Sequence, residues 1–186
     1  MPRTRIPEPL VVTLRSTVVC SILAVVSGAF VSLAVAQSPE PASDHRSGPL
    51  VGTWRLVEFW DRDSLAAPFV YLYGQRPTGY FIYDATGHVS IQIMRGPDPF
   101  RVDSTRGESW FLKGSPDELR RAVQDYRAYF GTYSVDSAHG IVVHHVEGDS
   151  RGLYTGSRQT RRYRLVGDSL IIGNDTTNRR VLLRVP

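Results

Sequence analysis

Leu50-Val51-Gly52-Thr53-Trp54-Arg55-Leu56-Val57-Glu58-Phe59-Trp60 is an apolar run that follows a Pro/Ser/Gly-rich stretch. Its aromatic and β-branched side chains read as a β-strand. Runs of the same kind recur at Thr78–Asp84, His88–Met94, Phe130–Asp136, Ile141–Glu147, Gly156–Val166, Ser169–Gly173 and Arg179–Val185. Asp84-Ala85-Thr86-Gly87, Asp136-Ser137-Ala138-His139-Gly140 and Gly167-Asp168 supply hairpin-type links between them. Short strands with this punctuation predict an antiparallel sandwich or barrel.

One helix interrupts the pattern. Ser115 is a natural N-cap, Pro116 suits the first helical position, and Glu118 completes a capping box. Leu119, Ala122, Val123, Tyr126 and Phe130 recur at helical spacing, which predicts a helix over 116–129 lying across or capping the sheet. The preceding segment, Arg95 to Gly114, is polar and Pro/Gly-rich yet carries Phe100, Trp110 and Phe111. It reads as a rim loop. Tyr71-Leu72-Tyr73-Gly74, with Trp110 and Phe111, is the expected lid.

The first 36 residues carry Arg3, Arg5 and Arg15 ahead of an apolar run, Thr17 to Ala36, that ends in Ala34-Val35-Ala36. That is the layout of a cleaved export signal, so 1–36 is read as a signal peptide and the product as periplasmic or secreted. The run spans ~20 residues, so an uncleaved signal would hold the chain at a membrane. Residues 37–49 read as a flexible linker and 50–186 as one domain. The single cysteine, Cys20, lies in the signal, so the mature chain has no disulfide, thiol catalysis or Cys-ligated zinc. Such a chain relies on its core, and about 150 residues suffice for one. The net charge of +4 falls to +2 once the signal, with three Arg and one Glu, is removed. Arg158, Arg161, Arg162 and Arg164 split over two strand faces. No phosphate-tracking stripe results, and nucleic acid is not an expected partner.

Gly52-x-Trp54 on the first strand, with Arg184 on the closing strand, resembles the lipocalin type of barrel. Longer stretches carry a closer resemblance to the bacterial and fungal lipocalin-like domain family. They are Gly52 to Val57, Gly87 to Gln92, Tyr129 to Asp136, Gly140 to Gly148, Arg161-Arg162-Tyr163 and Gly167 to Leu170. Together they span Leu50 to about Ile172. The resemblance implies an all-β fold, an eight-stranded antiparallel lipocalin-like barrel with one α-helix. It also implies that Trp54 plugs the closed end with Arg184 across its ring, and that the barrel holds a small molecule. The turn Asp149 to Tyr154 departs from the family's aromatic-proline-asparagine-tryptophan type, so ligand choice does not transfer.

Strand alternation sorts the remaining candidates by face. With Trp54 inward, Leu56, Glu58 and Trp60 follow it. On the fifth strand Ile141, Val143, His145 and Glu147 share one face, and Val142, His144 and Val146 the other. Adjacent His144 and His145 therefore cannot both ligate one metal, and neither a metal nor another cofactor is expected. On the sixth, Gln159, Arg161 and Tyr163 share a face. The expected ligand-binding set is Glu58, Trp60, Gln92, Tyr133, His145, Glu147, Arg161 and Tyr163, around a small apolar or amphipathic ligand. Three functions remain open: an exported binding protein, a cofactor-free isomerase or cyclase, and a structural barrel filled by its own side chains. In the enzyme, His145 would move the proton, Glu147 would orient it and Arg161 would hold an oxyanion.

Overall fold

The structure, a computed structural model, describes residues 48–186. The signal read over 1–36 and the linker up to residue 47 lie outside the described residues. Among the described residues the strands are β1 (Gly52–Asp61), β2 (Thr78–Tyr83), β3 (His88–Met94), β4 (Tyr126–Asp136), β5 (Ile141–Asp149), β6 (Arg158–Val166), β7 (Ser169–Gly173) and β8 (Asn178–Arg184). Each pairs antiparallel with the next, and β8 pairs back onto β1, so the sheet closes with no free edge. The all-β, eight-stranded antiparallel barrel with one α-helix is the architecture found.

The helix, α1 (Pro116–Asp125), starts at its expected capping box but stops short of the predicted end. Tyr126 already pairs with Met94, so β4 begins four residues ahead of the predicted Phe130. The buried Asp125 carboxylate accepts hydrogen bonds from Arg95 Nε (2.5 Å) and the Phe100 amide (2.8 Å). It anchors the rim loop where the helix ends, and ladder pairing with β3 overrides the helical spacing beyond it.

Two β-bulges set which side chains face inward. On β1 the pairing steps from Leu56↔Leu182 to Glu58↔Val181, leaving Val57 as the extra residue. Trp54 and Leu56 point in before it, Phe59 and Asp61 after it. On β5 the step from Phe130↔Gly148 to Gly131↔Val146 makes Glu147 the extra residue. There the two backbones come so close that a Cβ on Gly131 would meet the His145 carbonyl at 2.0 Å.

One end of the barrel is plugged. Trp54 is fully buried, its Nε1–H donating to the Leu50 carbonyl at 2.8 Å. The Arg184 guanidinium lies 4.1 Å from its ring centre and donates to the Val51 carbonyl at 3.0 Å. Leu56, Tyr83, Val89, Val142, Leu170 and Leu182 extend this buried core through the interior.

Candidate functional site

Toward the opposite end the core gives way to a cavity of about 120 Å³. Its apolar wall is Phe59, Phe81, Ile91, Ile93 and Ile172, each inward by strand alternation or by the β1 bulge. Leu72, Tyr73, Arg151 and Tyr154 contribute from loops. Tyr73 is buried edge-on against Phe59, with ring centres 4.9 Å apart. Of the expected lid, Leu72 and Tyr73 line the cavity. Trp110 and Phe111 do not; Trp110 lies near Phe100 and Phe111 is half exposed. A second space of about 240 Å³ adjoins, sharing Asp61, Tyr154, Arg161, Ile172 and Arg180 with the cavity.

His144 lines the cavity and is 1% exposed. Its Nε2 lies 2.9 Å from the Tyr83 hydroxyl and its Nδ1 2.9 Å from the Tyr129 hydroxyl. Burial, then the charge of Arg161, then His145, lower its pKa to about 3, so the ring is neutral at ordinary pH. Burial also pushes Tyr129 up to about 12, although Arg161 and Arg127 act to lower it, and holds Tyr83 well above its usual value. All three groups are uncharged hydrogen-bonding partners.

Four guanidinium groups reach the same cavity. Arg180 pairs with Asp61 at 2.6 Å and lies 3.8 Å from the Phe59 ring centre. Arg127 pairs with Asp149 at 3.1 Å and covers the Tyr154 ring at 4.0 Å. Arg151 donates to the carbonyls of Val123, Gln124 and Tyr126, bracing the helix end against the β5–β6 turn. Among the described residues Arg161 makes one side-chain hydrogen bond, to the neutral Gln159 Oε1 at 3.0 Å. The first two charges are compensated and the third is spent on backbone; Arg161 keeps its charge for the cavity.

The structure does not assemble the expected site as a unit. Arg161 lines the cavity. Tyr133 and Tyr163 pack with the interior but do not line it: the Tyr133 hydroxyl donates to the Asp84 carbonyl at 2.8 Å, near the β2–β3 hairpin. Glu58 and Trp60 lie on the outer face, because the Val57 bulge reverses the alternation there. Trp60 packs against Phe69 and donates to Glu58 Oε1 at 2.9 Å, while Glu58 pairs with Arg179. Gln92 is exposed, since Val89, Ile91 and Ile93 occupy the inner face of β3. His145 and Glu147 also face outward: His145 approaches Ser134 Oγ at 3.4 Å, and Glu147 borders an outer groove with Phe130 and His88. The proton-transfer trio of His145, Glu147 and Arg161 is thus divided between the two faces of the wall.

His144, Tyr129, Arg127 and Arg180 line the cavity but lie outside the set expected from the sequence. One signal was present: the β5 face bearing Val142 and Val146 is less polar than the one bearing Glu147, which puts His144 inside. Among the described residues no three His, Asp or Glu side chains converge as a metal site requires.

Comparison with known proteins agrees with this architecture. Residues 51–181 match the lipocalin-like domain. No curated protein matches the chain. The match covers β1 into β8, so the chain belongs to the lipocalin-like domain family.

Proposed function

We propose that this protein is an exported binding protein of lipocalin type that holds one small, partly apolar molecule inside its barrel. The observation that carries the reading is the cavity itself, walled by Phe59, Phe81, Ile91, Ile93 and Ile172 and fringed by a few polar groups. Few polar groups converging on an apolar pocket are the usual make-up of a small-molecule site. Its volume is of the order of the ~150 Å³ engineered cavity that accepts benzene. One ring or short chain fits within, and a longer ligand would extend into the adjoining space. Export rests on the basic start, the apolar run and Ala34-Val35-Ala36.

Native mass spectrometry with a panel of small amphipathic acids, alcohols and amines tests this reading. The expected result is a saturable one-to-one adduct that Ile172→Trp, which fills the cavity, removes. Absence of a saturable adduct across the panel would favour a barrel that serves only as structure.

A further inference from the structure

The hydrogens of the Tyr83–His144–Tyr129 chain can be counted. The two phenols contribute one each and the neutral imidazole one, making three donors for two hydrogen bonds. One hydrogen is left over, and its position depends on the histidine tautomer.

If Tyr129 donated to Nδ1, then Nε2–H would donate to Tyr83. The spare hydrogen would then sit on the Tyr83 hydroxyl. Tyr83 is 1% exposed, does not line the cavity, and packs edge-on against Tyr133 at 5.0 Å. Among the described residues its hydroxyl has no second hydrogen-bond partner. A donor stranded there is the costly arrangement. The reverse arrangement avoids it: Tyr83 donates to Nε2, Nδ1–H donates to the Tyr129 oxygen, and the spare hydrogen sits on Tyr129. Tyr129 lines the cavity, where that hydrogen can meet an acceptor.

Arg161 is on the same inner surface. It pairs with Val142 on β5, while its neighbour on that face, Gln159, pairs with His144. It lines the cavity together with Tyr129 and His144, and its charge bears on both, so the guanidinium and the tyrosine donor serve the same space.

Resting on the binding function proposed above, we infer that the cavity is selective for a small carboxylate, with Arg161 and the Tyr129 hydroxyl holding the head group and His144, as the Nδ1–H tautomer, aiming that hydroxyl. A carboxylate brings acceptors only, and charge-assisted hydrogen bonds to it are the stronger kind. An amine would oppose Arg161. A primary amide of the same shape would turn N–H groups toward donors. Arg127 and Arg180 already have carboxylates and Arg151 is held by carbonyls, which leaves Arg161 as the receiving cation.

Phenylacetate and its neutral isostere phenylacetamide are the probes, titrated into the full-length protein by isothermal calorimetry. Phenylacetate is expected to bind at least tenfold more tightly. Arg161→Gln should reduce that preference to threefold or less. Tyr129→Phe should weaken phenylacetate several-fold and leave phenylacetamide within twofold. Equal or tighter binding of phenylacetamide by the wild type would overturn carboxylate selectivity while leaving a binding cavity intact. Binding of neither probe would count against the cavity function itself. Independently of any ligand or variant, long-range ¹H–¹⁵N correlation of the His144 ring should show Nδ1 as the protonated nitrogen. A protonated Nε2 would refute the assignment of the spare hydrogen to Tyr129.

Discussion

The Arg184 guanidinium covers the Trp54 ring at 4.1 Å, in space that Gly52 leaves open. A Cβ at position 52 would lie 2.7 Å from Arg184 Nη1, and Gly52 has φ +137°, which L side chains rarely adopt. The Gly-x-Trp motif and the closing arginine are therefore one packing unit at the plugged end. Arg184→Met should cost about 1–3 kcal/mol, from the lost cation–π contact and the carbonyl bonds it leaves unmade. Trp54→Ala should cost about 3–5 kcal/mol. Urea denaturation at neutral pH measures both, and a cost below 0.5 kcal/mol for Arg184→Met would show that the plug needs only the tryptophan.

Acid should weaken the barrel through His144. The folded protein takes up a proton there near pH 3, against 6.5 for an ordinary histidine. Between those values the unfolded chain holds one proton more, so acid favours unfolding. From pH 6 to pH 4 this loss amounts to about 1.4 kcal/mol per pH unit. Above pH 7 the ring is neutral in both states and contributes no slope. Denaturant titrations across that range should show the slope in the wild type. His144→Gln should flatten it while starting from lower stability, since a tyrosine hydroxyl loses its partner. Profiles of equal steepness would place the acid sensitivity elsewhere.

Asp149 locks the wall to the loop that roofs it. Its fully buried carboxylate accepts from Arg127 at 3.1 Å and from the Tyr154 amide at 3.0 Å. Asp149→Ala leaves Arg127 without its carboxylate in a buried place, at a cost of about 3–5 kcal/mol. The variant should also speed hydrogen exchange at Tyr154. A small loss of stability with unchanged exchange would mean that Arg127 finds its compensation in water.

His145→Gln and Glu147→Gln should alter stability by less than about 0.5 kcal/mol, because both side chains lie on the outer face. Binding of a cavity ligand should stay within twofold of wild type. A tenfold loss in either variant would return the functional site to the face first expected from the sequence.

The strand pattern was legible because turn residues separate the runs, and seven of the eight predicted strands lie within two residues of those found. The lipocalin-like resemblance also placed Trp54 and Arg184 correctly. The faces were harder. A single extra residue, Val57 or Glu147, reverses the alternation, and nothing local marks it. The inward phase of β5 depends on His144 being satisfied by hydroxyls from Tyr83 and Tyr129, on strands 61 and 15 residues away in sequence. Helical spacing carried the predicted helix into β4, where pairing with β3 prevailed. Arg161 was legible because β6 alternates regularly from Arg158 to Arg164, with the outer positions of that stretch all exposed.

Binding inside the barrel is tested most directly by mapping the backbone amide shifts of the ¹⁵N-labelled protein during titration with phenylacetate. Saturable shifts are expected, centred on Tyr129, His144, Arg161 and Ile172, the inner residues of four strands. Shifts gathered instead around Phe130, Gly131 and Glu147, which border the outer groove, would contradict binding inside the barrel.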